Sequence, residues 1–248
     1  MSFALFKRNY LNRYSGMGLS YFWLIFMPCL PLFLYNALSA LGVFSEGNTS
    51  YPRGLHLTTG IVIYYFFSES ISNIATAVET NKSYIIKTGI SIPSCYLEGI
   101  IECYANFVLR YVVLGFAFLL FGYNIPVNFY IFPVFLPTIT ILSVGVGIIL
   151  SIFVVFYRDF LNIIQAILFY LLFASGVFLE VPKDSAFYQY LVYLPSRIWV
   201  ENFRNFIFET PITELNLLIT TSAFGILILI LSLLAYRNSK SALTTFLK

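Results

Sequence analysis

The chain has 248 residues, of which 59% are hydrophobic and only 10% charged, with a formal net charge of +3. A soluble globular chain carries about 25% charged residues, so this one lacks the charge needed to cover a water-facing surface. That excludes a soluble enzyme, a disordered chain and a secreted disulfide scaffold, and long apolar runs without alternation disfavour a β-barrel.

A spanning helix takes about 20 mostly apolar residues. Six runs of workable length stand at residues 20–43, 56–76, 103–122, 129–156, 160–180 and 214–236. The sequence therefore predicts an all-α polytopic membrane protein with six transmembrane helices in a single domain over residues 1–248. Its parts are an interface helix (1–19), spans one to five (20–180), an outer segment (181–213), span six (214–236) and a tail (237–248). With the N-terminus inside, nine Lys and Arg residues fall on the cytoplasmic side: Lys7, Arg8, Arg13, Lys82, Lys87, Arg158, Arg237, Lys240 and Lys248. Four fall outside, Arg53, Lys183, Arg197 and Arg204. This positive-inside bias predicts both termini in the cytoplasm and accounts for the basic balance without nucleic acid.

Residues 3–14, FALFKRNYLNRY, place Phe3, Phe6, Tyr10 and Tyr14 near one face, with Lys7, Arg8 and Arg13 largely on another. That spacing predicts an amphipathic helix in the headgroup layer, serving as an anchor or as a docking surface. The first 19 residues lack the apolar stretch of a cleavable signal peptide, so the first run is expected to remain as an anchor. Span one carries Pro28 and Pro31 and is expected to kink. Its aromatic residues, Trp23, Phe26 and Phe33 among them, read one by one as lipid-facing packing.

Span two ends in a polar half with Glu69 and Asn73, and a turn-prone segment, ETNKSYIIKTGISIPS, follows. Between spans, such a segment predicts a short interfacial helix on the cytoplasmic side. Glu98 and Glu102, four residues apart, share one helical face and are expected to be solvated at the membrane edge, with docking to a partner as the alternative. Glu69 and Arg110 are the two charges expected within the hydrocarbon. An intramembrane charge is costly and faces a partner or a wet cavity, and similar depths make a Glu69–Arg110 ion pair feasible.

GYNIPVN reads as a short external turn before span four. SVGVG in that span (Ser143, Gly145, Gly147) predicts close helix packing. Arg158–Asp159 forms a tight cytoplasmic turn, with Asp159 able to cap the next helix. The 35-residue stretch beginning at Glu180 predicts two short helices, around 184–194 and 197–208, broken at Leu194-Pro195-Ser196. They would lie at the outer interface or dip into it, as an interfacial hairpin or as a cap over a translocation path, with Trp199 and the Tyr residues at headgroup depth. Cys29, Cys95 and Cys103 read as small apolar fillers, and the single His56 makes a metal site improbable. No Gly-Lys dipeptide occurs, hence no phosphate-binding loop, and no nucleophile–His pair is available for covalent catalysis. The chain is read as a non-enzyme.

In their order, RNYLNRYSGMGLSYFWLIFMP, YYFFSESISNIATAVETNKSYIIKTGISIP, VVFYRDFLNIIQAILFYLLFASGVF and LPSRIWVENFRNFIF resemble a known family. That family is the membrane-spanning subunit of ABC-2-class ABC transporters, in the polysaccharide-export branch that moves O-antigen, capsule and teichoic acid. The chain departs from it where Asn-Pro becomes Leu-Pro-Ser, Phe-Pro becomes Ile-Pro and Ser-Pro becomes Ser175-Gly176. The resemblance implies a permease subunit in the bacterial cytoplasmic (inner) membrane, exporting a lipid-linked polysaccharide. It further implies a homodimer with two copies of an ATPase subunit that binds ATP and Mg, this chain holding no cofactor itself. By position, Lys7, Arg8, Arg13 and Tyr14 would lie on the interface helix, Asn81, Lys82 and Lys87 on the coupling segment, and Arg158 and Asp159 on the second cytoplasmic turn. Trp23, Phe26, Phe33, Tyr170 and Phe173 would line the channel. Tyr188, Tyr190, Trp199 and Arg204 would form the outer gate. The alternatives are an ABC-2 exporter of a drug or small lipid and a proton-coupled carrier using Glu69 and Arg110.

Overall fold

A computed structural model describes residues 2–15, 26, 53–178, 188–212 and 215–247, without the side chains of 11–15, 246 and 247. The described residues are all-helical, with no strand among them. Helix α1 is Ser2–Ser15, α2 is Arg53–Thr80, α3 is Lys82–Thr88 and α4 is Ile92–Leu120. The chain then forms α5 (Val127–Ile131), a 3-10 turn (Phe132–Phe135) and α6 (Leu136–Phe156). Next come α7 (Phe160–Ala174), α8 (Tyr188–Leu191), α9 (Pro195–Ile207) and α10 (Leu215–Leu247).

Among the described residues, four helical stretches are long and apolar enough to cross a membrane: Arg53–Thr80, Ile92–Leu120, Val127–Phe156 and Leu215–Thr245. The shortest has 28 residues, about 42 Å at 1.5 Å per residue, against a hydrocarbon core of about 30 Å. The molecule is a multi-pass, membrane-embedded helical protein. Of the six expected spans, the first lies outside the described residues apart from Phe26. The fifth forms the 15-residue α7, about 22 Å long. It stops because Gly176 takes a left-handed φ of 71°, a conformation that ends helices and suits glycine.

Span three begins earlier than its apolar run suggests. Pro93 occupies the first turn of α4, where a missing N–H costs nothing, and the helix runs from Ile92 instead of 103. This extra length carries Cys95, Tyr96, Glu98 and Glu102 into the protein, all buried.

The α2 helix is the centre of the bundle, packed against α4 on one side and α6 on another. Leu55, Ile63, Phe66 and Phe118 form the main core, joined by Trp199 from α9. Ile74, Val78, Cys95 and Leu5 form a second cluster nearer α1. The glycines of SVGVG allow the closest approaches, as their spacing predicts. A Cβ at Gly147 would stand 2.8 Å from the Ile74 Cβ of α2, and one at Gly145 would stand 2.9 Å from the Leu229 nitrogen of α10.

Candidate functional site

Among the described residues, two polar clusters interrupt this apolar packing at the seam between α2 and α4. The first is the intramembrane charge pair. Glu69 of α2 and Arg110 of α4 form a salt bridge, although the equal depths expected from a span starting at 103 do not hold, since α4 starts at Ile92. Asn106, one helical turn before Arg110, donates from Nδ2 to Glu69 Oε2 at 3.4 Å. The guanidinium carbon also stands 5.1 Å from the centre of the Tyr65 ring, a cation–π distance. Arg110 is only 8% exposed. Its Nε and Nη1, and Asn106 Oδ1, have no hydrogen-bond partner among the described residues.

Beside this pair, α2 and α7 enclose a groove of about 280 Å³. Tyr64, Tyr65, Ser68, Glu69 and Ser72 of α2 and Gln165, Leu168, Phe169 and Leu172 of α7 line it. The α7 helix rests on α2 through a narrow stripe, Ile164, Leu168 and Leu172, spaced four residues apart and buried. The Tyr64 hydroxyl donates to the Leu168 carbonyl across the same contact.

Nearby, Ser70 Oγ and Cys103 Sγ lie 2.9 Å apart, and Cys103 Sγ is 3.4 Å from the Phe66 carbonyl. Cys103 is therefore a polar stitch between α2 and α4 as well as a filler, because its thiol meets a hydroxyl and a carbonyl at the seam.

The second cluster ties three segments together. Asn81, at the junction of α2 and α3, donates to the Ala77 carbonyl at 3.0 Å and to Glu98 Oε2 at 2.8 Å. Asn9 of α1 donates to Glu98 Oε1 at 2.9 Å and to Asn81 Oδ1 at 3.0 Å. Arg8 donates from Nε and Nη2 to Asn9 Oδ1, and its guanidinium lies 3.4 Å over the Tyr84 ring of α3. Glu98 is thus not solvated at a membrane edge, as its spacing suggested. It is 4% exposed, because α1 covers this face of α4 and supplies the donors. Glu102 is buried too.

The remaining residues singled out by sequence are scattered. Lys7 is exposed on α1, while the Arg13 and Tyr14 side chains lie outside the described residues. Lys82 is half-buried and Lys87 exposed on α3. Arg158 is exposed and bonds Glu79 at 2.9 Å. Asp159 starts α7 without a side-chain cap, because its backbone is already helical at that position. Its carbonyl instead accepts from the Asn162 and Ile163 amides.

Trp23 and Phe33 lie outside the described residues, and Phe26 is half-buried. Tyr170 and Phe173 are exposed on the outward face of α7. The outer set divides. Tyr190 is 80% exposed, whereas Trp199 is 1% and Arg204 5% exposed. Trp199 does not face headgroups. Its ring packs 5.7 Å from that of Phe67, since α9 turns its apolar face onto α2. Tyr188 lies under the Arg197 guanidinium at 4.6 Å.

Sequence reasoning missed Asn9, Asn106 and Gln165. Asn106 had a usable signal, an amide one turn before an intramembrane arginine. Asn9 and Gln165 had none, because what they meet comes from distant helices. The chain matches no protein-family model, and no characterised protein resembles it significantly in sequence.

Proposed function

We propose that this chain is the permease subunit of an ATP-driven exporter in the bacterial inner membrane, working as a homodimer with two separate ATPase subunits. Its substrate in this reading is a lipid-linked polysaccharide of the O-antigen or capsule type. The observation that carries the reading is the mounting of α3. This short helix exposes Tyr84, Ile86 and Lys87, while Asn81 at its start is buried and bonded to α1 and α4.

A displacement of α3 would move α2 and α4 together, because one buried amide is shared among them. That is the mechanical requirement for a subunit driven from outside the membrane. Lys7, Lys87 and Arg158 are exposed basic residues on α1, α3 and the α6–α7 turn, and they suit an acidic docking partner. The long apolar helices suit a membrane path, and the exposed Tyr170 and Phe173 give α7 an aromatic face. Such a face offers a sugar chain apolar contact without strongly directional hydrogen bonds. ATP and Mg belong to the partner subunit in this reading.

Affinity purification of the tagged chain from its native membrane, with mass spectrometry, tests the proposal. A stoichiometric ATPase subunit is the expected result, reduced several-fold by Ile86→Asp on α3. Its reproducible absence from an intact complex would overturn the reading. Transport by the chain alone, collapsing with the proton gradient, would favour a coupled carrier built on Glu69 and Arg110.

A further inference from the structure

We infer that the groove between α2 and α7 is a binding subsite for a neutral, hydroxyl-rich unit, a single sugar residue of the transported material. The inference rests on the export reading and adds to it a location and a set of recognising groups. Three features of the groove select the ligand.

The first is charge. Glu69 lines the groove, but its charge is met by Arg110 from behind. The pair is neutral as a unit, so the groove draws neither a cation nor an anion strongly. What remains on its open side is acceptor capacity, since a carboxylate has about four lone-pair sites and Arg110 and Asn106 occupy two.

The second is the supply of uncommitted polar groups. The side chains of Tyr65, Ser72 and Gln165 line the groove and make no hydrogen bond among the described residues. Ser68 uses its hydrogen on the Tyr65 carbonyl at 3.3 Å, which leaves its oxygen as an acceptor. The groove therefore offers both donors and acceptors. Hydroxyl groups, which are both at once, satisfy such a set. An acyl chain would leave it unpaired, at a cost in a membrane interior.

The third is an aromatic ring beside these polar groups. The Phe169 ring, 58% exposed, lines the groove on α7 one helical turn from Gln165, whereas Tyr64 is buried with its hydroxyl on the Leu168 carbonyl. A sugar ring has apolar C–H faces and polar edges, which fit an aromatic ring flanked by hydrogen-bonding groups. Arg110 is a positioning residue here. Buried beneath the groove, it fixes the Glu69 carboxylate without lining the groove itself.

A photoreactive benzoylphenylalanine placed at Gln165, in the full chain in its native membrane, tests the inference. Gln165 is exposed on α7, so the replacement leaves the packing stripe intact. A second probe at Phe116, 61% exposed and away from the groove, serves as the reference. After irradiation, the purified adducts are hydrolysed and their monosaccharides and fatty acids measured. Carbohydrate is expected several-fold enriched at 165 over 116. It should be lost when Ser72→Phe fills the groove while the ion pair stays untouched.

Fatty acid alone at 165, carbohydrate no richer than at 116, or enrichment unchanged by Ser72→Phe would each overturn the subsite. The same preparations report on the ATPase subunit. Its recovery without carbohydrate at 165 would remove the subsite and keep the exporter. Carbohydrate without the ATPase would do the reverse.

Discussion

Glu69 and Glu98 are both carboxylates at the α2–α4 seam, yet a guanidinium meets one and two asparagine amides meet the other. About 18 Å of helix separates Glu69 from Asn81, at 1.5 Å per residue. Over that distance the solution to a buried charge changes. At Glu69 an opposite charge meets the carboxylate, and the Arg110 guanidinium that supplies it also stands over Tyr65. Near α1 and α3 the carboxylate is shared between segments, and the amides convert its charge into directional bonds. The Arg8 charge reaches that cluster through Asn9 and Asn81. The first arrangement makes the seam neutral; the second makes three segments move as one. A single sequence pattern, a carboxylate on an otherwise apolar helix, thus has two structural meanings.

The comparison breaks most visibly at Arg110. Arg110→Met leaves the Glu69 carboxylate without its counter-charge in the core, and removing one partner of a buried pair costs about 3–5 kcal/mol. Thermal unfolding in detergent should show a larger drop for this variant than for Glu98→Ala or Gly147→Ala. Glu69→Leu combined with Arg110→Met removes both charges and should recover most of the loss. If the double variant is no better than the single, the pair is not the reason for the destabilisation.

Glu98→Ala should cost less. It leaves the donors of Asn9 and Asn81 without their acceptor, at about 1–3 kcal/mol for each buried group left unsatisfied. The distinctive outcome is local: α1 should be released and become sensitive to trypsin at Lys7 and Arg8, while α2 and α4 stay folded. Proteolysis that starts everywhere at once would contradict the separation of the two clusters.

Gly147→Ala sharpens the comparison from between them. The added methyl meets Ile74, which lies on α2 between Glu69 and Asn81. Overpacking of this kind costs about 1–3 kcal/mol. Because the strain falls on the shared helix, it should weaken both clusters together, lowering thermal stability and raising trypsin cleavage of α1 in parallel. A change in only one of these readouts would show that α2 does not connect them.

The helices themselves were legible in the sequence. Apolar runs found α2, α6 and α10, and Leu194-Pro195-Ser196 marked the start of α9, because hydropathy and proline act locally. The Glu69–Arg110 pair was legible because two intramembrane charges have few partners to choose from. The start of α4 was not, since Glu98 and Glu102 lower the hydropathy of a segment that tertiary contacts bury. Nor was the burial of Trp199, whose amphipathic helix would serve equally on a lipid interface or on Phe67. The groove escaped altogether. It needs Gln165 from one helix and Ser72 from another, and no local pattern joins residues so far apart in the chain.

The smallest expected effect belongs to Arg158, and its smallness is what makes it useful. The Arg158–Glu79 pair links the α6–α7 turn to α2 at 2.9 Å, but the arginine side chain is 83% exposed. Water screens such a pair, and exposed pairs contribute about 0.2–1 kcal/mol. Arg158→Gln should therefore leave the unfolding temperature almost unchanged, in contrast to Arg110→Met. Recovery of the ATPase subunit should nonetheless fall several-fold if Arg158 docks it, because an interface charge acts on the complex rather than on the fold. Unchanged recovery would confine Arg158 to its bond with Glu79 and move the docking surface onto α1 and α3. A large loss of stability would instead mean that this turn is packed far more tightly than its exposure indicates.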